Sequence, residues 1–250
     1  MIFMFCGSSS TRQFSGNFPG KMLVNYYSGA TIKGLANEAS RENHANIISH
    51  ISSAPENKRL FLMLGNADYD FTYYRYIYDK RSITNSAFIE DRALAYNIFL
   101  ERLITENEMH GTLKSVHVLA PQISPILDRH FVRTVSLHAK MDKELFAECI
   151  KETDCTHATR VNRTVWFNDV LEDKILKNDL VKFHRIDRVM LDEKSNLKSE
   201  FYPKGLDHHA EKTATFRLWR KELRNFIPAY ERAIRREVEA RKKLKAALPK

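Results

Sequence analysis

Three short apolar runs limit the folds open to this chain more than any other feature. They are Ile2-Phe3-Met4-Phe5-Cys6, Leu60-Phe61-Leu62-Met63-Leu64 and Val116-His117-Val118-Leu119-Ala120, none with a formal charge, and each stops at a glycine or proline: Gly7, Gly65 and Pro121. Runs this short, bounded by turn formers, read as strands buried on both faces. Longer stretches at helical spacing lie between them, such as Phe88 to Glu108, where Ala95, Phe99 and Leu103 recur. Strands alternating with helices build a parallel sheet covered on both faces. The expected class is therefore α/β, a three-layer α/β/α arrangement around a mostly parallel central sheet. With 250 residues, 43% of them apolar, the chain is long enough to bury such a core.

The remaining elements are fainter. Lys21 to Tyr27 reads as a further strand, followed by a helix from about Gly34 to His50, after a polar loop over Gln13–Gly20. An aromatic helix start covers Tyr69 to Tyr78, and Ser124 to Leu137 reads as loop with a short helix. Helices are expected near Lys140–Lys151 and His157–Lys177, then a charged edge strand over Val181–Leu191. Phe216, Trp219, Leu223, Phe226, Tyr230, Ile234 and Val238 fall three or four apart, which predicts a long amphipathic helix that Pro228 kinks or splits.

The net charge of +9 is unevenly placed. Residues 217–250 hold twelve Lys/Arg against four Glu, so the rest of the chain is nearly neutral. This divides the chain into an α/β domain, residues 1–216, and a basic helical extension, residues 217–250. It argues against nucleic acid as the partner of the main fold. The extension could instead pair two copies of the chain. Cys6, Cys149 and Cys155 are odd in number and lack metal-ligand spacing, which suits a reducing compartment. His44, His50, His117 and His157 form no ligand-spaced set, so no metal is implied and no cofactor is expected. Met1 runs directly into the first strand without a basic leader, and no apolar run reaches membrane-spanning length. A cytoplasmic protein with no transmembrane segment is the expectation.

Small polar residues gather at the strand ends: Gly7-Ser8-Ser9, Ser28-Gly29 and Gly65-Asn66-Ala67-Asp68. In a parallel sheet these ends share one edge, where such folds place their ligands. A late Asp207-His208-His209 cluster precedes the last helix and could return to that edge. A serine, a histidine, a glycine N–H and an asparagine amide are the parts of acyl-transfer chemistry. Each also has a plain reading. Ser9 suits a helix cap, Asn66 and Asp68 a strand-to-helix turn, and the histidines a solvated helix start.

As an ordered set of blocks, this pattern resembles the SGNH (GDSL-like) hydrolases. Gly7-Ser8-Ser9-Ser10-Thr11-Arg12 is similar to the opening Gly-Asp-Ser block and implies a nucleophile at Ser9, with Ser8 in place of the usual aspartate. The resemblance implies oxyanion donors at Ser9, at Gly29 or Gly34, and at Asn66, which stands one place early in its block. Asp207-His208-His209 is similar to the closing Asp-x-x-His block, with His209 or His208 as base. Asp207 is nearer to the histidines than in the family pattern, so Asp207 or a backbone carbonyl could orient the ring. Arg12, Asp68 and Tyr73 are the implied substrate contacts. Tyr27 to Thr31 and Gly65 to Tyr74 further resemble the bacterial glycan and capsule-locus branch. The resemblance implies a flavodoxin-like fold and an esterase or O-acyltransferase acting on an acyl ester of a glycan or a related small molecule. The rival readings are a glycan- or partner-binding protein with a weakened triad, and a binder of anionic polymers or membrane surfaces through the C-terminal helix.

Overall fold

The computed structural model describes residues 1–15, 22–37, 44–81, 83–205 and 207–247. Five strands form one sheet: β1 (Ile2–Gly7), β2 (Met22–Tyr26), β3 (Lys58–Met63), β4 (Leu113–Leu119) and β5 (Val181–His184). Their order is β2-β1-β3-β4-β5 and every pairing is parallel. This is the doubly wound flavodoxin-like order, with helices on both faces, so the three-layer expectation holds.

The apolar runs are strands because both of their faces are covered. Met4 and Cys6, Leu60 and Leu62, and Val116 and Val118 face one helical layer, which includes Phe88, Phe99 and Phe167. The alternate residues Phe5, Phe61, Met63 and Leu119 face the other, against Trp219, Leu223 and Tyr230. Phe5, Phe61 and His117 are direct neighbours across three strands, and successive rings stack at 4.5 Å. His117 Nδ1 then meets His184 Nε2 at 2.9 Å, and His184 Nδ1 meets Glu222 at 3.1 Å. These bonds tie β4 and β5 to the C-terminal helices.

Several elements differ from the sequence expectation for physical reasons. The charged stretch Val181–Leu191 is strand only to His184. Arg185 is then drawn onto Asp187 and Asp169, and Asp187–Met190 forms a single helical turn. The short helix expected within Ser124–Leu137 is three turns long, Asp128–His138. The first crossover holds a short helix, Ile32–Leu35, and a second, His44–Ser52; residues 38–43 of the expected continuous helix lie outside the described residues. Of the expected loop Gln13–Gly20, Gln13 and Phe14 end a 3-10 helix, and residues 16–20 lie outside the described residues. The long C-terminal helix is two, Lys212–Glu222 and Pro228–Ala247. Pro228 opens the second, where its missing N–H costs nothing. Within the apolar stripe Trp219, Leu223 and Tyr230 are buried and Phe216 and Phe226 half-buried, whereas Val238 is 47% exposed. No helix among the described residues is long and apolar enough to cross a membrane.

Candidate active site

The carboxyl edge of the sheet carries the candidate site, beginning at the tip of β1. Glycine is required at position 7: an added Cβ would lie 2.0 Å from the Met63 carbonyl oxygen. The close approach lets the Ser8 N–H donate to that same oxygen at 2.9 Å, which clamps the turn onto β3. The chain then enters a 3-10 helix, Ser9–Phe14, with Ser9 at its first position.

Ser9 Oγ lies 2.7 Å from His209 Nε2, across 200 residues of sequence. His209 stands on the loop before the helix Lys212–Glu222. The Glu211 N–H donates to Phe201 O at 2.8 Å, and the Glu211 carboxylate caps that helix by accepting from Ala214 N–H at 2.6 Å. Within the loop, Asp207 Oδ1 accepts the His209 backbone N–H at 2.9 Å and meets His209 Nδ1 at 2.7 Å. One oxygen thus closes an Asx turn and orients the ring at once. The short spacing that left a backbone carbonyl as the alternative orienter is what makes the turn close. Burial works against the Asp207 charge, but the His209 N–H and ring outweigh it and hold the carboxyl below its ordinary value.

His208 takes a different position. Its ring packs at a tilt against His209 at 3.8 Å and His138 at 4.2 Å, with the Phe71 ring edge-on at 5.2 Å. Burial, then the neighbouring imidazoles, push its pKa down to about 3, so it is neutral at ordinary pH. Asp207, His208 and His209 bring three possible metal ligand atoms within 4.8 Å of one another. Both ring nitrogens of His209 already face partners, so a metal there would have to displace Asp207 or Ser9.

The other predicted residues divide. Gly29 borders the cleft in a left-handed turn (φ 72°) together with Asn66. Gly34 does not: it lies inside the helix Ile32–Leu35, and its N–H donates to Thr31 Oγ1. Asn66 Nδ2 donates to Gln122 O at 3.0 Å and Oδ1 accepts the Gln122 N–H at 3.4 Å, which leaves one amide hydrogen uncommitted. Arg12 is exposed and borders the cleft. Asp68 and Tyr73 do not. Asp68 is fully buried, accepting from Arg92 Nε at 2.7 Å and Ile32 N–H at 2.8 Å. Tyr73 is buried among Tyr69, Tyr74 and Phe88.

Two cavities meet at Ser9 and His209. One, about 300 Å³, is bordered by Gly29, Asn66, Asp70, Phe71 and His138. The other, about 650 Å³, is bordered by Gln13, Glu200, Tyr202, Lys204 and Lys212. Gln122 borders both; it is not among the residues expected from sequence, although its place just beyond β4, directly after Pro121, is a signal that marks it. His138 ends a helix in a stretch without a clear pattern, and no local signal marks it.

No family model matches the chain, and no curated protein resembles it to a significant degree. Among solved structures it is similar to a Streptococcus pneumonia protein described as a platelet activating factor, with TM-score 0.48 and 15% identity over 90% of this chain and 82% of that one. It is also similar to Est24, a carbohydrate acetylesterase from Sinorhizobium meliloti, with TM-score 0.44 and 13% identity over 96% and 99% of the two chains. The aryl esterase of M. Smegmatis gives TM-score 0.44 and 15% identity over 89% and 100%.

Proposed function

We propose that this chain is an SGNH-type serine esterase or O-acyltransferase acting on an acyl ester of a glycan or glycan precursor. The observation that carries the reading is the hydrogen-bonded chain Ser9 Oγ, His209, Asp207. In this reading Ser9 Oγ attacks the ester carbonyl while His209 Nε2 takes its proton. Asp207 stabilises the imidazolium that forms. The carbonyl oxygen, now an alkoxide, is met by the Ser9 and Gly29 N–H groups and the uncommitted Asn66 amide hydrogen. His209 returns the proton to the departing alcohol, leaving an acyl-serine. Water or a sugar hydroxyl then attacks that intermediate, with His209 again the base, so hydrolysis and transfer share one apparatus.

The two cavities support an assignment of the ester's halves. The oxyanion donors border the smaller one, which suits a short acyl group. The larger, more open one suits a sugar-sized alcohol. The test is labelling with a fluorophosphonate and mapping of the modified residue. The label should fall on Ser9 and be lost in Ser9→Ala and in His209→Gln. Labelling elsewhere, or full ester turnover by Ser9→Ala, would refute the reading.

A further inference from the structure

The charged side chains around the larger cavity are unevenly engaged. Arg12 follows Ser9 by three residues in a 3-10 helix, where residues i and i+3 eclipse, so its side chain leaves from the nucleophile's face. It borders both cavities. Its guanidinium is held over the Tyr26 ring at 4.4 Å and pairs with no carboxylate among the described residues. Stacking of this kind fixes the plane of the group and leaves its N–H edge free. Lys204 and Lys212, both exposed, border the larger cavity and likewise have no carboxylate partner among the described residues.

The acids there are mostly occupied. Asp207 is engaged by His209, and the Glu211 carboxylate caps the helix Lys212–Glu222. Glu200 remains. Three uncommitted cations therefore face one uncommitted carboxylate, beside a nucleophile whose leaving alcohol would enter this cavity. A neutral sugar would partly desolvate these cations without pairing them, whereas an anionic one would make charge-assisted hydrogen bonds.

We propose that the alcohol half of the substrate carries an anionic group, a carboxylate or a phosphate, read by Arg12 with Lys204 and Lys212. The assignment of the cavity to the alcohol half rests on the serine-esterase reading. Arg12 is the specificity residue of the set, because its planar fork matches either anion with two parallel bonds.

The test uses the full chain and four esters: 4-nitrophenyl acetate, an acetylated methyl glucoside, the matching acetylated methyl glucuronide and an acetylated glucose phosphate. At low salt, kcat/KM for the glucuronide or the phosphate should exceed that for the glucoside about tenfold, and the ratio should shrink as salt rises. The favoured arm identifies the anion. Arg12→Gln should lower the charged-to-neutral ratio about tenfold, with Arg12→Lys in between. Lys204→Gln combined with Lys212→Gln should lower it independently. Binding of the uncleaved glucuronide, sugar phosphate and glucoside to Ser9→Ala, by calorimetry, reads the same preference without turnover. Equal binding of charged and neutral sugars, or a ratio that none of these variants moves, overturns the anion reading. Failure to cleave any ester, 4-nitrophenyl acetate included, counts against the esterase reading, while the binding arm still decides this one.

Discussion

Replacing Asp207 separates the two things its carboxylate does for His209. In a Ser-His-Asp triad the Asp→Asn change commonly costs about 10⁴ in kcat, because the new amide turns its nitrogen to the ring and imposes the wrong tautomer. The geometry here predicts otherwise. A single oxygen, Oδ1, takes both the His209 N–H at 2.9 Å and Nδ1 at 2.7 Å, and no described residue donates to Oδ2. An asparagine can keep its carbonyl at Oδ1 and its NH₂ at the idle position, since the backbone N–H accepts no other orientation. Both hydrogen bonds and the tautomer then survive, and only the charge is lost. The Asp207 side chain is 56% exposed, so solvent screens much of that charge. The loss should be about 1–2 kcal/mol of transition-state stabilisation, or roughly 5- to 30-fold in kcat/KM. Asp207→Ala removes the turn and the ring's acceptor together and should cost on the order of 10²–10³-fold. Steady-state kinetics on 4-nitrophenyl acetate for both variants, with circular dichroism to verify folding, provide the assay. An Asp207→Asn loss of 10³-fold or more, exceeding that of Asp207→Ala, would refute the shared-oxygen argument.

Three further outcomes follow from other parts of the structure. Arg92→Met should destabilise by about 3–5 kcal/mol, because Asp68 is left fully buried without its cation, held only by backbone N–H. Urea denaturation reads it, adding Asp68→Asn should recover part of the loss, and a change below about 1 kcal/mol would contradict the buried pair's importance. His208 has a folded-state pKa pushed from 6.5 to about 3, so between those values the unfolded chain holds a proton that the folded ring refuses. Stability should therefore fall as pH drops through that window, and His208→Gln should show a shallower decline of Tm from about pH 7 to pH 4; parallel curves would exclude this source. Tyr230→Ala should cost on the order of 3–5 kcal/mol, since Tyr230 is 1% exposed. Truncation after Arg236 should instead change stability by less than about 0.5 kcal/mol, because the first apolar residue removed, Val238, is 47% exposed. Equal effects of the two changes would mean that the terminal turns also dock.

Features that depend on near neighbours along the chain were the readable ones. Ile2–Cys6, Leu60–Leu64 and Val116–Ala120 had to be central strands, because uncharged runs of that length bounded by glycine or proline have few other uses. The small polar residues that close them are readable for the same reason, and Gly7 and Asn66 could be placed at one edge once the sheet was taken as parallel. Pro228 likewise announced a break through its own ring. Asp68 carried no such mark. Its partner Arg92 lies 24 residues away on a helix, and only packing turned a plausible substrate contact into a sealed ion pair that holds Ile32. Gly34 and Gly29 were equivalent as letters, but a helix consumed the first one's N–H and left the second at the cleft. The meeting of Ser9 and His209 at 2.7 Å depends on where the last loop is anchored, through Glu211 to Phe201. That Asp207 can orient a ring only two residues away depends on a backbone turn closed by the same oxygen. Such features belong to tertiary structure because hydrogen bonds and ion pairs have partners fixed in space, while sequence patterns record only the spacing of residues along one segment.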